Sequence, residues 1–114
     1  MEETVQKLLS PGKGILAADE STKTITKRFV SLGLTSTPEL NRKYREMLFT
    51  TPEIENYISG VILFDETVSQ GFHEILITRG IIPGIKVDAG LAPFNGEVEQ
   101  ITQKPANLSG QLKI

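Results

Sequence analysis

Two short stretches of the chain carry residue types that could do chemistry. Asp19-Glu20-Ser21-Thr22 follows the apolar run Gly14-Ile15-Leu16-Ala17-Ala18, and Lys86 and Asp88 stand at the end of an apolar run that begins at Ile81. A hydroxyl-rich turn leading into a helix is suited to an anion, because the first N–H groups of a helix have no partner inside it and its dipole is positive at that end. Ser21 and Thr24 add hydroxyl donors there, so a phosphate fits; the same residues also make good helix caps, and their types alone support either use. Asp19 is the odd group. A carboxylate beside a phosphate repels it unless it engages a different part of the ligand, for which a sugar hydroxyl is suited. Lys86 lies between Ile85 and Val87 and points to the opposite side of a strand from both, toward an interior or toward solvent. Enclosed with Asp19 it would form an ion pair near a reacting centre, where burial shifts the pKa of either group. Asp88 shares its side of the strand and is equally available as a partner.

Other chemistries find little support. The chain has no cysteine, which removes disulfides, thiolate metal sites and cysteine nucleophiles together. His73 is its one histidine, too little for a metal site. Pro11-Gly12-Lys13-Gly14 lacks the spacing of a nucleotide-phosphate loop and precedes a strand rather than a helix. With a net charge of −2 and basic and acidic residues interspersed, there is no basic stripe for nucleic acid and no polybasic surface for anionic lipid. No apolar run reaches the ~20 residues of a membrane span, and Met1-Glu2-Glu3-Thr4-Val5 lacks the positive start of a secretory signal. A cytoplasmic protein is expected.

The elements that must position these residues alternate between strand-like and helix-like, the pattern of βα units around a parallel sheet. Val5, Leu8 and Leu9 mark the apolar side of an opening helix that Pro11-Gly12 ends. The run over 14–18 is a buried strand. Ile25, Phe29 and Leu32 recur at helical spacing before Gly33, and Thr37-Pro38 starts a second helix whose apolar face is Leu40, Tyr44, Met47 and Leu48. Thr51-Pro52 starts a short turn of helix. Gly60-Val61-Ile62-Leu63-Phe64 is the clearest strand, and Phe72, Ile75 and Leu76 form a helix face before Arg79-Gly80. A third strand spans 81–88 with Pro83 where pairing begins, and from Gly90 onward the periodicity is lost and a loop is expected. In each strand the apolar run gives way to charged groups at its carboxyl end, the end at which α/β barrels assemble their sites. Acidic residues after strands also cap helices and face water, a use that fits each one taken alone.

Several of these segments, in order, resemble class I fructose-bisphosphate aldolases. Lys13-Gly14-Ile15-Leu16-Ala17-Ala18-Asp19-Glu20-Ser21-Thr22 is similar to the first strand and loop of that family. Lys27-Arg28 and Asn41-Arg42-Lys43-Tyr44-Arg45 resemble segments of its next helices, Gly60 to Thr67 its second strand, and Gly84-Ile85-Lys86-Val87-Asp88 its third. The resemblance covers nearly all of residues 11 to 103. It implies an α/β fold comprising about the first three βα units of a (β/α)8 barrel. It also implies an activity, cleavage of fructose 1,6-bisphosphate to triose phosphates in glycolysis through a Schiff base between a lysine and the ketose, with no metal or organic cofactor. By the same resemblance Asp19 matches the carboxylate that engages a substrate hydroxyl during carbon–carbon cleavage, and Lys86 the lysine close to it. Ser21 and Thr24 match positions that bind a substrate phosphate, and Arg28 a further substrate-contacting base. A sugar phosphate is the implied ligand and a homo-oligomer the implied assembly.

The family carries its imine-forming lysine on the sixth strand, and a glutamate and another lysine on the fourth and fifth. The 114 residues supply only three such strands, and Lys86 is not the imine lysine. The chain is therefore expected to be inactive alone, with at most a residual sugar-phosphate site. Residues 1–103 are expected to form the barrel portion and 104–114 an unrelated tail. Three parallel strands cannot close a barrel, so uncovered edges and a bare inward face are expected to leave the isolated chain marginal and prone to self-association.

Overall fold

The computed structural model describes residues 1–88, 90–93 and 100–102; the expected tail over 104–114 lies outside them. Three apolar runs form one parallel sheet in the order β1 (Gly14–Ala18), β2 (Ile58–Leu63), β3 (Ile82–Ile85), so β2 is central. Helices fill both crossovers: α2 (Thr22–Val30) and α3 (Pro38–Phe49) with a 3-10 turn (Ile54–Asn56) between β1 and β2, then α4 (Asp65–Ser69) and α5 (Phe72–Thr78) between β2 and β3. The α/β expectation holds, with helix α1 (Glu2–Leu8) ahead of the sheet.

Register decides what each face of the sheet shows. Ala18, Leu63 and Ile85 stand opposite one another across the three strands, and one residue earlier so do Ala17, Ile62 and Gly84. Because side chains alternate along a strand, the first set belongs to one face and the second to the other. Ala18, Val61 and Leu63 are buried with Phe49, Val68, Phe72, Leu76 and Ile81 in a core between sheet and helices, joined by Leu16 and Ile85. Phe49 meets Phe72 edge to face at 5.5 Å between centroids, a geometry that adds to the apolar burial of both rings. On the opposite face Ile15 and Ala17 are exposed and Ile62 is half-buried.

At its amino end that open face meets α1. Gly14 pairs with Ile58 but Ile15 with Gly60, so Ser59 is an extra residue on β2, a bulge that turns Gly60 to the side of Ile15. Ser59 Oγ donates to Leu8 O at 2.7 Å, and a Cβ on Gly60 would lie 2.5 Å from Leu8 Cδ2. The glycine is what lets the end of α1 rest against the strand.

Local signals set the other elements. Ser21 caps α2, its Oγ accepting from Thr24 N at 3.3 Å; Thr37 caps α3, its Oγ1 accepting from Leu40 N at 3.1 Å with Pro38 at the first helical position. Pro83 is the second residue of β3, opposite Val61, one step after pairing begins at Ile82. Lys86 N donates to Leu63 O, so Ile82 and Gly84 share that direction, and the nitrogen of Pro83 faces the side of β3 with no partner strand among the described residues.

Four expectations need correcting. The helix after β2 is two helices, α4 and α5, broken at Gly71, whose φ of 85° suits glycine. The segment expected as loop holds β4 (Leu91–Pro93) paired antiparallel with β5 (Gln100–Thr102). Met47 and Leu32 are exposed at 59% and 74%, as are Val5 and Leu9. The buried line of α3 is instead the neighbouring one, Asn41, Arg45 and Phe49, spaced i, i+4, i+8, and two of its three residues are polar.

Candidate functional site

At the carboxyl end of the sheet a cleft of about 350 Å³ is lined by Asp19, Ser21, Thr24, Arg28 and Lys86, with Ala17 and Glu20 completing it. The five residues expected from sequence are thus brought together. Strand alternation explains two of them: Ala17 and Asp19 follow the open face of β1, and Lys86 follows Gly84 on the open face of β3. Ser21 and Thr24 arrive with the first turn of α2, and Arg28 one turn further along the same helix face.

Within the cleft charge is closely matched. Lys86 Nζ lies 2.8 Å from Asp88 Oδ2 and 3.8 Å from Asp19 Oδ2. The first is a charge-assisted hydrogen bond and the second an ion pair beyond hydrogen-bond length, so both expected partners of Lys86 are real and Asp88 is the nearer. The hydrogen bond from Lys86 holds the Asp88 carboxyl below the usual carboxylate range, and the N–H of Gly90, donating to Asp88 Oδ1 at 2.8 Å, acts in the same direction. Lys86 and Asp19 are each about a quarter exposed, open enough for a ligand to reach either. Arg28 Nη1 donates to Glu20 Oε2 at 2.8 Å, with the arginine 57% exposed and the glutamate 8%. Ser21 Oγ and Thr24 Oγ1 lie 3.2 Å apart. A ligand anion would find two hydroxyls and two cations within reach, and a ligand hydroxyl would find the Asp19 carboxylate. No cluster of His, Asp or Glu among the described residues could hold a metal ion.

Behind the cleft stands a bracket that sequence reasoning missed. Arg45, 1% exposed, donates through Nη1 to Glu66 Oε1 at 2.7 Å and through Nη2 to Glu20 O at 2.8 Å. Asn41 Nδ2 donates to the same Glu66 oxygen at 3.2 Å, and Ser36 Oγ reaches Asn41 Oδ1 at 3.0 Å. The available signal was positional: Asn41 and Arg45 sit in line with Phe49, and polar residues on a buried line require partners.

The chain is similar to known proteins of one family. Residues 1–112 match the family model for class I fructose-bisphosphate aldolase. A probable class 1 fructose-bisphosphate aldolase of Xanthomonas axonopodis pv. citri is 53% identical over 102 residues, which are 84% of this chain and 30% of the relative. The fructose-bisphosphate aldolase of Echinococcus multilocularis is 51% identical over 109 residues, 90% of this chain and again 30% of the relative. The solved Plasmodium falciparum fructose-bisphosphate aldolase, in a ternary complex with TRAP and a small-molecule inhibitor, superposes with a TM-score of 0.85 at 45% identity, covering 97% of this chain and 33% of that one. The chain spans about 30% of the length of the curated relatives it matches. With its three parallel strands matching one third of an aldolase barrel, the chain belongs to the class I fructose-bisphosphate aldolase family.

Proposed function

We propose that these residues supply the hydroxyl-engaging and phosphate-binding part of an aldolase site, and that the 114-residue chain alone binds a sugar phosphate without cleaving it. The observation that carries this reading is the convergence of Asp19, Ser21, Thr24, Arg28 and Lys86 on one cleft at the carboxyl ends of the strands. Ser21, Thr24 and Arg28 bind a phosphate. Asp19 accepts from a sugar hydroxyl, and Lys86, held between Asp19 and Asp88, keeps the carboxylate in place. In the complete family enzyme this part works with an imine-forming lysine on a later strand, and the imine is the electron sink for carbon–carbon cleavage. Without that amine the local groups orient a ligand but have nowhere to put the electrons of the broken bond. A glycolytic role and a cytoplasmic location fit the family; no described helix is long and apolar enough to cross a membrane.

The test has two readouts. The chain, purified free of host aldolase, is incubated with fructose 1,6-bisphosphate and borohydride and its mass measured; no covalent adduct and no triose phosphate are expected, and either one overturns the proposed inactivity. Titration with a triose phosphate is expected to move the amide signals of Ser21 and Thr24, and unmoved signals overturn the binding site.

A further inference from the structure

Inside the cleft the loop after β1 is held by its side chains, Glu20 by Arg28 and Asp19 by Lys86, while its Glu20 carbonyl is held from elsewhere. Glu20 lies between Asp19 and Ser21, and the groups proposed to touch a ligand hydroxyl and a ligand phosphate are therefore on either side of a single residue. The Glu20 carbonyl belongs to the planar peptide unit whose other end is the N–H of Ser21. Fixing the direction of that carbonyl fixes the plane, and with it the start of α2, where Ser21 accepts from Thr24 N. The group that fixes it comes from outside the cleft: Arg45 Nη2 donates to Glu20 O at 2.8 Å.

Arg45 suits this task for three reasons. It is 1% exposed, so solvent does not compete for its donors. Its guanidinium is planar and carries its donors in a fixed fork, so holding Nη1 on Glu66 Oε1 at 2.7 Å determines where Nη2 points. Glu66 is itself held by Asn41, which Ser36 contacts in turn. The fork therefore joins the loop after β1 to the first turn of α4 after β2, through a residue on α3.

We propose that Arg45 is a positioning residue for the cleft: by clamping the Glu20 carbonyl against Glu66 it sets the relative placement of Asp19 and the Ser21–Thr24 hydroxyls without touching ligand. The proposal rests on the reading of the cleft as a phosphate site. Lysine at this position keeps the charge but not the fork, so it can satisfy Glu66 and must release the carbonyl or the reverse.

The test uses the isotopically labelled 114-residue chain below its unfolding transition, with inorganic phosphate as the probe. In the wild type, the Arg45 Nη signals are expected to be resolved and protected from exchange, and the Glu20 carbonyl carbon to show the downfield shift of a charge-assisted hydrogen bond. This measurement needs no variant. Freely averaged Nη signals overturn the proposal. In Arg45→Lys, phosphate affinity is expected to fall about tenfold, the scale of one lost charge-assisted hydrogen bond, while the Glu20 carbonyl shift returns toward its unbonded value and the Phe49 and Phe72 signals stay in place. Glu66→Gln leaves the fork a neutral acceptor and is expected to fall between wild type and Arg45→Lys on both readouts. Unchanged phosphate affinity in a folded Arg45→Lys chain whose Glu20 carbonyl has moved overturns the positioning role. Failure of the wild type to bind phosphate refutes the cleft reading instead, and the Glu20 and Arg45 signals still show whether the clamp exists.

Discussion

Two arginines converge on Glu20 from opposite sides, and their surroundings could hardly differ more. Arg28 meets its carboxylate from the cleft, more than half exposed; Arg45 meets its carbonyl from behind, almost wholly buried and tied to Glu66 as well. Both contacts measure 2.8 Å, so length does not separate them. What separates them is the alternative each group has. Water solvates the exposed Arg28 guanidinium in place of Glu20 at little cost, although the Glu20 carboxylate, only 8% exposed, then loses its donor. For Arg45 no water is at hand, and a buried charge stripped of its partners is strongly unfavourable. At the front the cation is therefore reachable by a ligand anion, and at the back it is not.

That contrast is sharpened by removing each arginine in turn. Arg45→Met is expected to give the largest effect, about 3–5 kcal/mol lost from folding, because Glu66 loses its cation and keeps only Asn41 while the Glu20 carbonyl loses its donor; Arg28→Met is expected to cost less, since the cation it removes is more than half exposed, although the largely buried Glu20 carboxylate loses its donor. Denaturant unfolding of the two variants side by side measures both, and equal losses would break the distinction. Next comes Ser21→Ala, which removes the cap of α2 in front of the bracket and is expected to cost about 1 kcal/mol, read by the same unfolding experiment. The smallest effect concerns Asp88. Its carboxyl is held below the ordinary range first by the Lys86 hydrogen bond, so the folded form gains stability from it above the ordinary carboxylate pKa and loses that gain as pH falls through the depressed value. Following the Asp88 carboxyl carbon by NMR through an acid titration is expected to show that midpoint rise in Lys86→Met; an unmoved midpoint would mean that Lys86 is not the cause.

Much of this arrangement is legible in the residues. Each strand is a buried apolar run ending in charge, and the alternation of Ile85, Lys86 and Val87 tells that Lys86 and its neighbours face opposite ways. Asp19 and Lys86 follow from strand ends and Ser21 and Thr24 from a helix start, while Arg28 follows from the family resemblance alone. Arg45 does not follow, because whether an arginine is buried depends on acceptors brought by other segments: Glu66 and Glu20 lie 21 and 25 residues away. Reading the α3 face as Leu40, Tyr44, Met47 and Leu48 weighted hydropathy over partners, and Met47 proved exposed. The pairing of β4 with β5 was hidden for a related reason. Strands of three residues, one ending in Pro93, carry too little pattern of their own, and their existence depends on finding each other.

The contact between Leu8 and Gly60 has a consequence for how the chain acquires its shape. Helix α1 has its seat on a strand about fifty residues further along, through Ser59 as well as Gly60. During vectorial synthesis the leading segment must wait, undocked, while both intervening helices emerge, since the loop it closes exists only once the central strand has been made. Its arrival seats Leu8 at the amino end of the central strand, the end away from the charged cleft.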